Sequence, residues 1–270
     1  MVRSPHVAGK FYELEPERLK KQIEASFLHR LGPGELPTTN GIVERDIVAC
    51  IVPHAGFMYS GPTAAHGYMA LSRQKKPGRI VIFGTNHTGM GGIFSSAHEN
   101  WATPLGVVDV DLEGVSRLGV GVDDYAHKFE HSIEVQLPFL QYVWKDIRFI
   151  PISVSAPVKE TQEFERSIQE LGDVLIIASS DFTHYEHAKD AKEKDSKAIE
   201  AILNLDEEGF LDVVKKYQAT ICGYAPIYMA IKVAKRLGAS KAELLKYTNS
   251  GDITGDFNSV VAYAAIVFRK

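Results

Sequence analysis

Three short stretches put chemically capable side chains where an apolar run stops. Pro53-His54-Ala55-Gly56 follows Ile47 to Val52, Gly84-Thr85-Asn86-His87 follows Ile80 to Phe83, and Ser179-Ser180-Asp181-Phe182-Thr183-His184 follows Val174 to Ala178. Imidazoles and a carboxylate are donors for a transition metal, and the same groups exchange protons near neutral pH. A single histidine after a strand is ordinarily a hydrogen-bonded loop residue, and Asp181 alone could equally cap a turn or a helix. Three such loops weigh more together. In open α/β sheets ligands bind outside the carboxyl ends of the strands, so loops far apart in sequence become candidates for one site.

Two further stretches supply donors of other kinds. Cys222 lies in Thr220-Ile221-Cys222-Gly223-Tyr224-Ala225-Pro226, just ahead of an expected helix start, where the helix dipole favours a thiolate. The other cysteine, Cys50, sits inside an apolar run and reads as a small core residue. In Phe129-Glu130-His131-Ser132-Ile133-Glu134, helical spacing puts His131 and Glu134 on one face, able to orient a metal ligand or handle protons. The plainer reading of that segment is a capped helix start at Ser132. His98 and His127 have no such context and read as surface residues.

The elements that must position these groups alternate along the chain. Strands are expected at Ile47–Val52, Ile80–Phe83, Phe149–Val154, Val174–Ala178 and Val260–Phe268, with Pro151 hinting at an edge or a bulge. Helices are expected from Pro62 to Gln74 and over Glu15–Leu28, Ile133–Val143, Lys159–Leu171, Ala188–Leu203, Glu207–Tyr217 and Ala225–Leu237. Gly32–Gly41 reads as a surface loop. Strands separated by helices imply one α/β domain over residues 1–270, its central mainly parallel or mixed sheet flanked by helices. A net charge of −4 without any Lys/Arg block argues against nucleic acid as a partner. No run of about 18 apolar residues occurs, and the N-terminus lacks the apolar core of a signal peptide, so a cytoplasmic location away from membranes is expected.

Taken in order, "RSPHVAGKFY" from Arg3, "VPHAGFMYSG" from Val52, "GTNHTG" from Gly84, "EHSIEVQLPFL" from Glu130, "SSDFTHY" from Ser179 and "CGYAPI" from Cys222 resemble the Memo family, named for a mediator of ErbB2-driven cell motility. The matches span nearly the whole chain. The resemblance implies the fold of class III, LigB-type extradiol dioxygenases and a site corresponding to their non-haem iron centre. It implies His54, His87 and Cys222 at the metal, with Asp181 and His184 beside it, His184 as proton carrier, and Asp181 with His131 or Glu134 orienting the ligands. Cysteine stands where the dioxygenases use a carboxylate. A thiolate keeps the single negative charge but is softer and itself oxidisable, which favours Fe(II) first, with Cu(I) or Zn as alternatives. Two functions follow from the resemblance: a redox enzyme or oxygenase acting on a small molecule, or a vestigial pocket that binds a metal ion or a peptide. A pathway shared with a radical-SAM protein and an AMMECR-like protein is a further expectation.

Overall fold

An uninterrupted apolar run has no polar face to offer water, so its strand must be covered on both sides. Ile47–Val52 and Val174–Ser179 meet that demand, with every residue buried. Each fully buried Ile or Val there stabilises the fold by about 1.5–3 kcal/mol. The structure, a computed structural model, describes residues 1–38 and 42–270; Thr39, Asn40 and Gly41, at the end of the expected surface loop, lie outside the described residues.

Among the described residues eleven strands form one mixed sheet: β1 (Val2–Arg3), β2 (Ile47–Val52), β3 (Arg79–Thr85), β4 (Phe94–Ser95), β5 (Asn100–Thr103), β6 (Gly106–Val110), β7 (Arg148–Val154), β8 (Val174–Ser179), β9 (His184–Glu186), β10 (Lys241–Asn249) and β11 (Val260–Arg269). Their order is β1-β5-β6-β7-β3-β8-β2-β11-β10, with β4 beside β7 and β9 beside β11. The run from β6 to β2 is parallel, whereas β11 lies antiparallel to both β2 and β10. Helices pack on this sheet, Phe57–Ser72 against β2, β10 and β11, and Tyr224–Arg236 against β2, β3 and β8.

The topology decides where the candidate groups go. Because β3, β8 and β2 are parallel neighbours, their carboxyl ends lie side by side, and the loops bearing His87, Asp181 and His54 emerge together. Close packing brings a fourth segment in. A methyl group at Gly84 would overlap Ile133 and come within 2.7 Å of Ser132 Oγ, so glycine lets the turn over residues 130–136 lie directly on the end of β3. At Gly223 an added methyl would overlap Ser180 and lie 2.8 Å from the Ser179 carbonyl oxygen. That glycine seats the Cys222 turn on the end of β8.

Several elements depart from expectation. The second helix begins at Phe57, so Pro62 stands inside it rather than at its start. The helix expected from Ile133 opens as a 3-10 turn over Glu134–Gln136 before the α-helix Leu137–Val143. Strand β10 and the short strands β1, β4, β5, β6 and β9 were not expected, because their burial is partial or their length only two to five residues apart from β10. Pro151 is accommodated as a local edge. On the side of β7 away from β3, β6 pairs only Arg148–Phe149 and β4 only Ser153–Val154, and the proline falls in the gap. No helix among the described residues is long and apolar enough to cross a membrane.

Candidate metal centre

A cavity of about 770 Å³ opens at the shared carboxyl ends of the strands, lined by His54, His87, His131, Asp181, His184 and Cys222. Its outer wall carries Lys10, Phe11, Tyr59 and Tyr185. Glu134 does not line it.

Three imidazoles converge there. Candidate ligand nitrogens of His54, His87 and His131 all lie within 4.8 Å of one another. The rings of His87 and His131 stack at a centroid distance of 4.6 Å, and His54 meets each of them edge-on at 5.1 and 5.4 Å. The cluster joins the two expected histidine ligands, His54 and His87, with His131, which was expected to orient the site; Cys222 is not among the three. The cause is the turn over residues 130–136, which Gly84 admits so closely that the His131 ring is laid against His87.

Cys222 nonetheless touches the site, its Sγ lying 3.2 Å from His54 Nε2. The backbone N–H of Asp181 donates to the same sulfur at 3.3 Å. The expected thiolate does not follow from the helix start, because burial first and then the Asp181 charge push the thiol above its usual range. Cys50 is a core residue, fully buried, and burial pushes its thiol up to about 12.

Two of the imidazoles are held from behind. His54 Nδ1 lies 2.9 Å from Ser179 Oγ, and His87 Nδ1 lies 2.9 Å from Glu130 Oε1. A carboxylate behind a histidine fixes the ring and raises the basicity of the opposite nitrogen. Glu130 is fully buried in its side chain and also accepts from the backbone N–H groups of His87, His131 and Ser132. Burial alone would raise its pKa, but the His87 hydrogen bond and charge, with the Ser132 N–H, hold it well below the usual carboxylate range. Burial keeps two of the imidazoles neutral: the His131 pKa is lowered to about 4, and that of His54 well below its ordinary value, with the neighbouring His131 and His87 adding to the effect. Neutral imidazoles with free nitrogens are the form that binds metal.

The remaining groups stand around this cluster. Asp181 Oδ1 accepts from the backbone N–H groups of His54 and Ala55 at 2.9 and 3.3 Å, and burial raises its pKa. His184 Nδ1 lies 2.9 Å from the Thr220 carbonyl oxygen, which can only accept, so Nδ1 carries the proton and Nε2 is left as an acceptor. Tyr185 adopts φ of 57° and is 78% exposed at the rim. That left-handed backbone, uncommon for a bulky residue, turns it outward between His184 and Glu186, both of which pair with β11.

Glu134 faces the other way. Its carboxylate accepts from Arg3 Nη1 at 2.7 Å, from the His6 and Val7 N–H groups and from Tyr12 O–H, tying down the N-terminal segment that carries Lys10 and Phe11. His131 lies ahead of the 3-10 turn, which begins only at Glu134, so the two do not share the helical face on which the spacing put them. His127, expected on the surface, is fully buried beside Trp101, with its Nε2 donating to the Ser95 carbonyl. Glu130 is the residue that sequence reasoning passed over. Its signal was a carboxylate directly preceding a histidine, in a segment read only for helical spacing.

The Memo-like protein family model matches residues 3–267. A MEMO1 family protein of Methanopyrus kandleri is 46% identical over 283 aligned residues, covering 100% of both chains. One from Methanosarcina barkeri is 45% identical over 98% of this chain and 99% of its own, and one from Sulfolobus acidocaldarius 44% identical over 99% of each. With the same family matching from the N-terminal strap to the final strand, the chain belongs to the Memo family.

Proposed function

We propose that the chain is a metal-binding protein whose cavity presents a transition metal to a small molecule, with His54, His87 and His131 as the ligands. The observation that carries this reading is the convergence of three imidazoles, two of them braced through Nδ1 by Ser179 and Glu130. Three nitrogens suit Fe(II), Cu(I) and Zn alike. Fe(II) is assigned, in keeping with the extradiol dioxygenase-like fold that the family resemblance implies. When bound, such an ion offers open coordination positions and Lewis-acid or redox chemistry to a small ligand.

The protein's own groups divide the remaining work. His184, with Nε2 free, accepts a proton from a ligand in the cavity. Asp181 holds the backbone at His54 and Ala55 and so fixes the direction of the His54 ring. Cys222, hydrogen-bonded to His54 Nε2, competes with a metal for that lone pair and gives the site an oxidisable neighbour. The exposed Tyr185 and Tyr59 favour a second reading, in which the rim captures a peptide. Cooperation with radical-SAM and AMMECR-like proteins is part of the proposal, and co-purification tests it.

The deciding experiment is metal content by mass spectrometry after tag-free anaerobic purification. Near-stoichiometric iron in the wild type, lost in His131→Ala and retained in Cys222→Ala, is the expected pattern. Loss in Cys222→Ala with retention in His131→Ala would overturn the three-histidine assignment.

A further inference from the structure

We propose that Ser179 and Gln136 act together as positioning residues that fix the His54 tautomer, keeping its Nε2 lone pair turned toward the metal cluster. The inference rests on the metal-binding reading for its purpose, but its hydrogen-bond logic stands on geometry alone.

Two carbonyl oxygens beside this pair, those of Pro53 and Ser132, can only accept. Gln136 Nε2 lies 2.9 Å from the Pro53 carbonyl oxygen and 2.7 Å from Ser179 Oγ, while its Oε1 receives Tyr68 O–H at 2.6 Å. Turning the amide over would set Oε1 against the Pro53 carbonyl, two acceptors face to face. The amide orientation is therefore fixed, and both Nε2 hydrogens are committed, one to Pro53 and one to Ser179.

Ser179 then has no choice left. Its Oγ lies 2.6 Å from the Ser132 carbonyl oxygen, which takes its single hydrogen. One lone pair receives the Gln136 amide. The other faces His54 Nδ1 at 2.9 Å, and two lone pairs cannot bond each other, so Nδ1 must bear the proton. Every member of this chain is buried: Ser179, Ser132 and Tyr68 are fully enclosed, and Gln136 and His54 nearly so, which leaves no water to restore a wrong choice. The His54 nitrogen left over is Nε2, the atom 3.2 Å from Cys222 Sγ.

The arrangement also divides labour between the imidazoles. His87 is braced by a carboxylate, which brings a negative charge next to the ligand set. His54 is braced by a neutral hydroxyl that sets the tautomer and adds no charge. Tyr68 links the chain to the core, its ring stacked on Phe139 at a centroid distance of 4.8 Å. In this way the helix Phe57–Ser72 reports to the metal cluster through one amide.

The test is a long-range proton–nitrogen NMR correlation on metal-free protein labelled with ¹⁵N-histidine. A protonated Nδ1 and an unprotonated Nε2 at His54 in the wild type are expected; a protonated Nε2 would overturn the proposal whatever the variants do. Ser179→Ala should shift His54 toward the other tautomer and weaken Zn²⁺ and Fe²⁺ binding by about 10–100-fold. Ser179→Thr, which keeps the hydroxyl, should restore both. Wild-type tautomer and affinity in a folded Ser179→Ala would also overturn it. Protonation at Nδ1 without metal uptake by the wild type would refute the metal centre while upholding the tautomer assignment, so the two failures are separable.

Discussion

Replacing Glu130 with glutamine removes one charge from the site while keeping its size, and the structure says what should follow. Glu130 Oε1 accepts from His87 Nδ1, His131 N and Ser132 N at 2.9, 2.8 and 2.9 Å, and Oε2 accepts from His87 N at 2.6 Å. The amide oxygen of glutamine can serve the three donors at Oε1. Its NH₂ group must then face the His87 N–H, donor against donor, in a fully buried place. One charge-assisted hydrogen bond is lost and one buried donor left unpaired, together costing on the order of 2–5 kcal/mol. The effect depends on pH in a definite sense. Because the native carboxylate is held below its unfolded pKa of about 4.3, its stabilisation is fully present above that value and is lost as pH falls toward the depressed native pKa. Urea unfolding at pH 7 should show the full deficit in Glu130→Gln, and the gap to wild type should narrow as pH falls below about 4. Zn²⁺ affinity by competition with a chelator should drop about 10–100-fold, since His87 loses its carboxylate brace. A folded Glu130→Gln with wild-type affinity and a stability gap independent of pH would refute the reasoning.

Two other substitutions separate structural carboxylates from those at the site. Glu134→Gln should destabilise by roughly 3–5 kcal/mol, because it breaks a buried pair with Arg3 whose side chain is only 5% exposed; in the fraction that folds, Zn²⁺ affinity should change far less than in Glu130→Gln, and an equal loss of affinity would refute that separation. Asp195 is fully buried and accepts from Thr183 N and Oγ1 and from Tyr247 O–H. Burial raises its pKa to about 6 despite those donors, so the native state holds a proton that the unfolded chain releases near pH 4. Its stabilisation is therefore present below about pH 4 and lost as pH rises through 6, a change of on the order of 3 kcal/mol. Asp195→Asn should remove that slope in urea unfolding between pH 4 and 7, and a slope unchanged in the variant would place its origin elsewhere.

What could be read from the sequence follows the range of the forces involved. Strands β2, β3, β7, β8 and β11 were legible because burial on both faces writes itself as an unbroken apolar run. His54, His87 and Asp181 were legible for a related reason, since a polar residue that stops such a run sits at a strand end, and parallel neighbours bring those ends together. His131 and Glu130 belong to another category. Nothing in their local pattern distinguishes a helix that carries His131 and Glu134 on one face from a chain that turns helical only at Glu134 and sends them to opposite tasks. The choice is made by contacts far along the chain: Gly84 admits the turn, and the Arg3, His6, Val7 and Tyr12 donors draw Glu134 away from the cavity. Once Glu134 is held there, His131 is left against His87, and Glu130 is placed to bond His87 and the backbone of the turn at once. The N-terminal segment thus helps to decide which residues form the cluster, although none of its own side chains belongs to it. A motif can therefore be recognised in full while the role of each residue within it is set by a segment more than a hundred residues away.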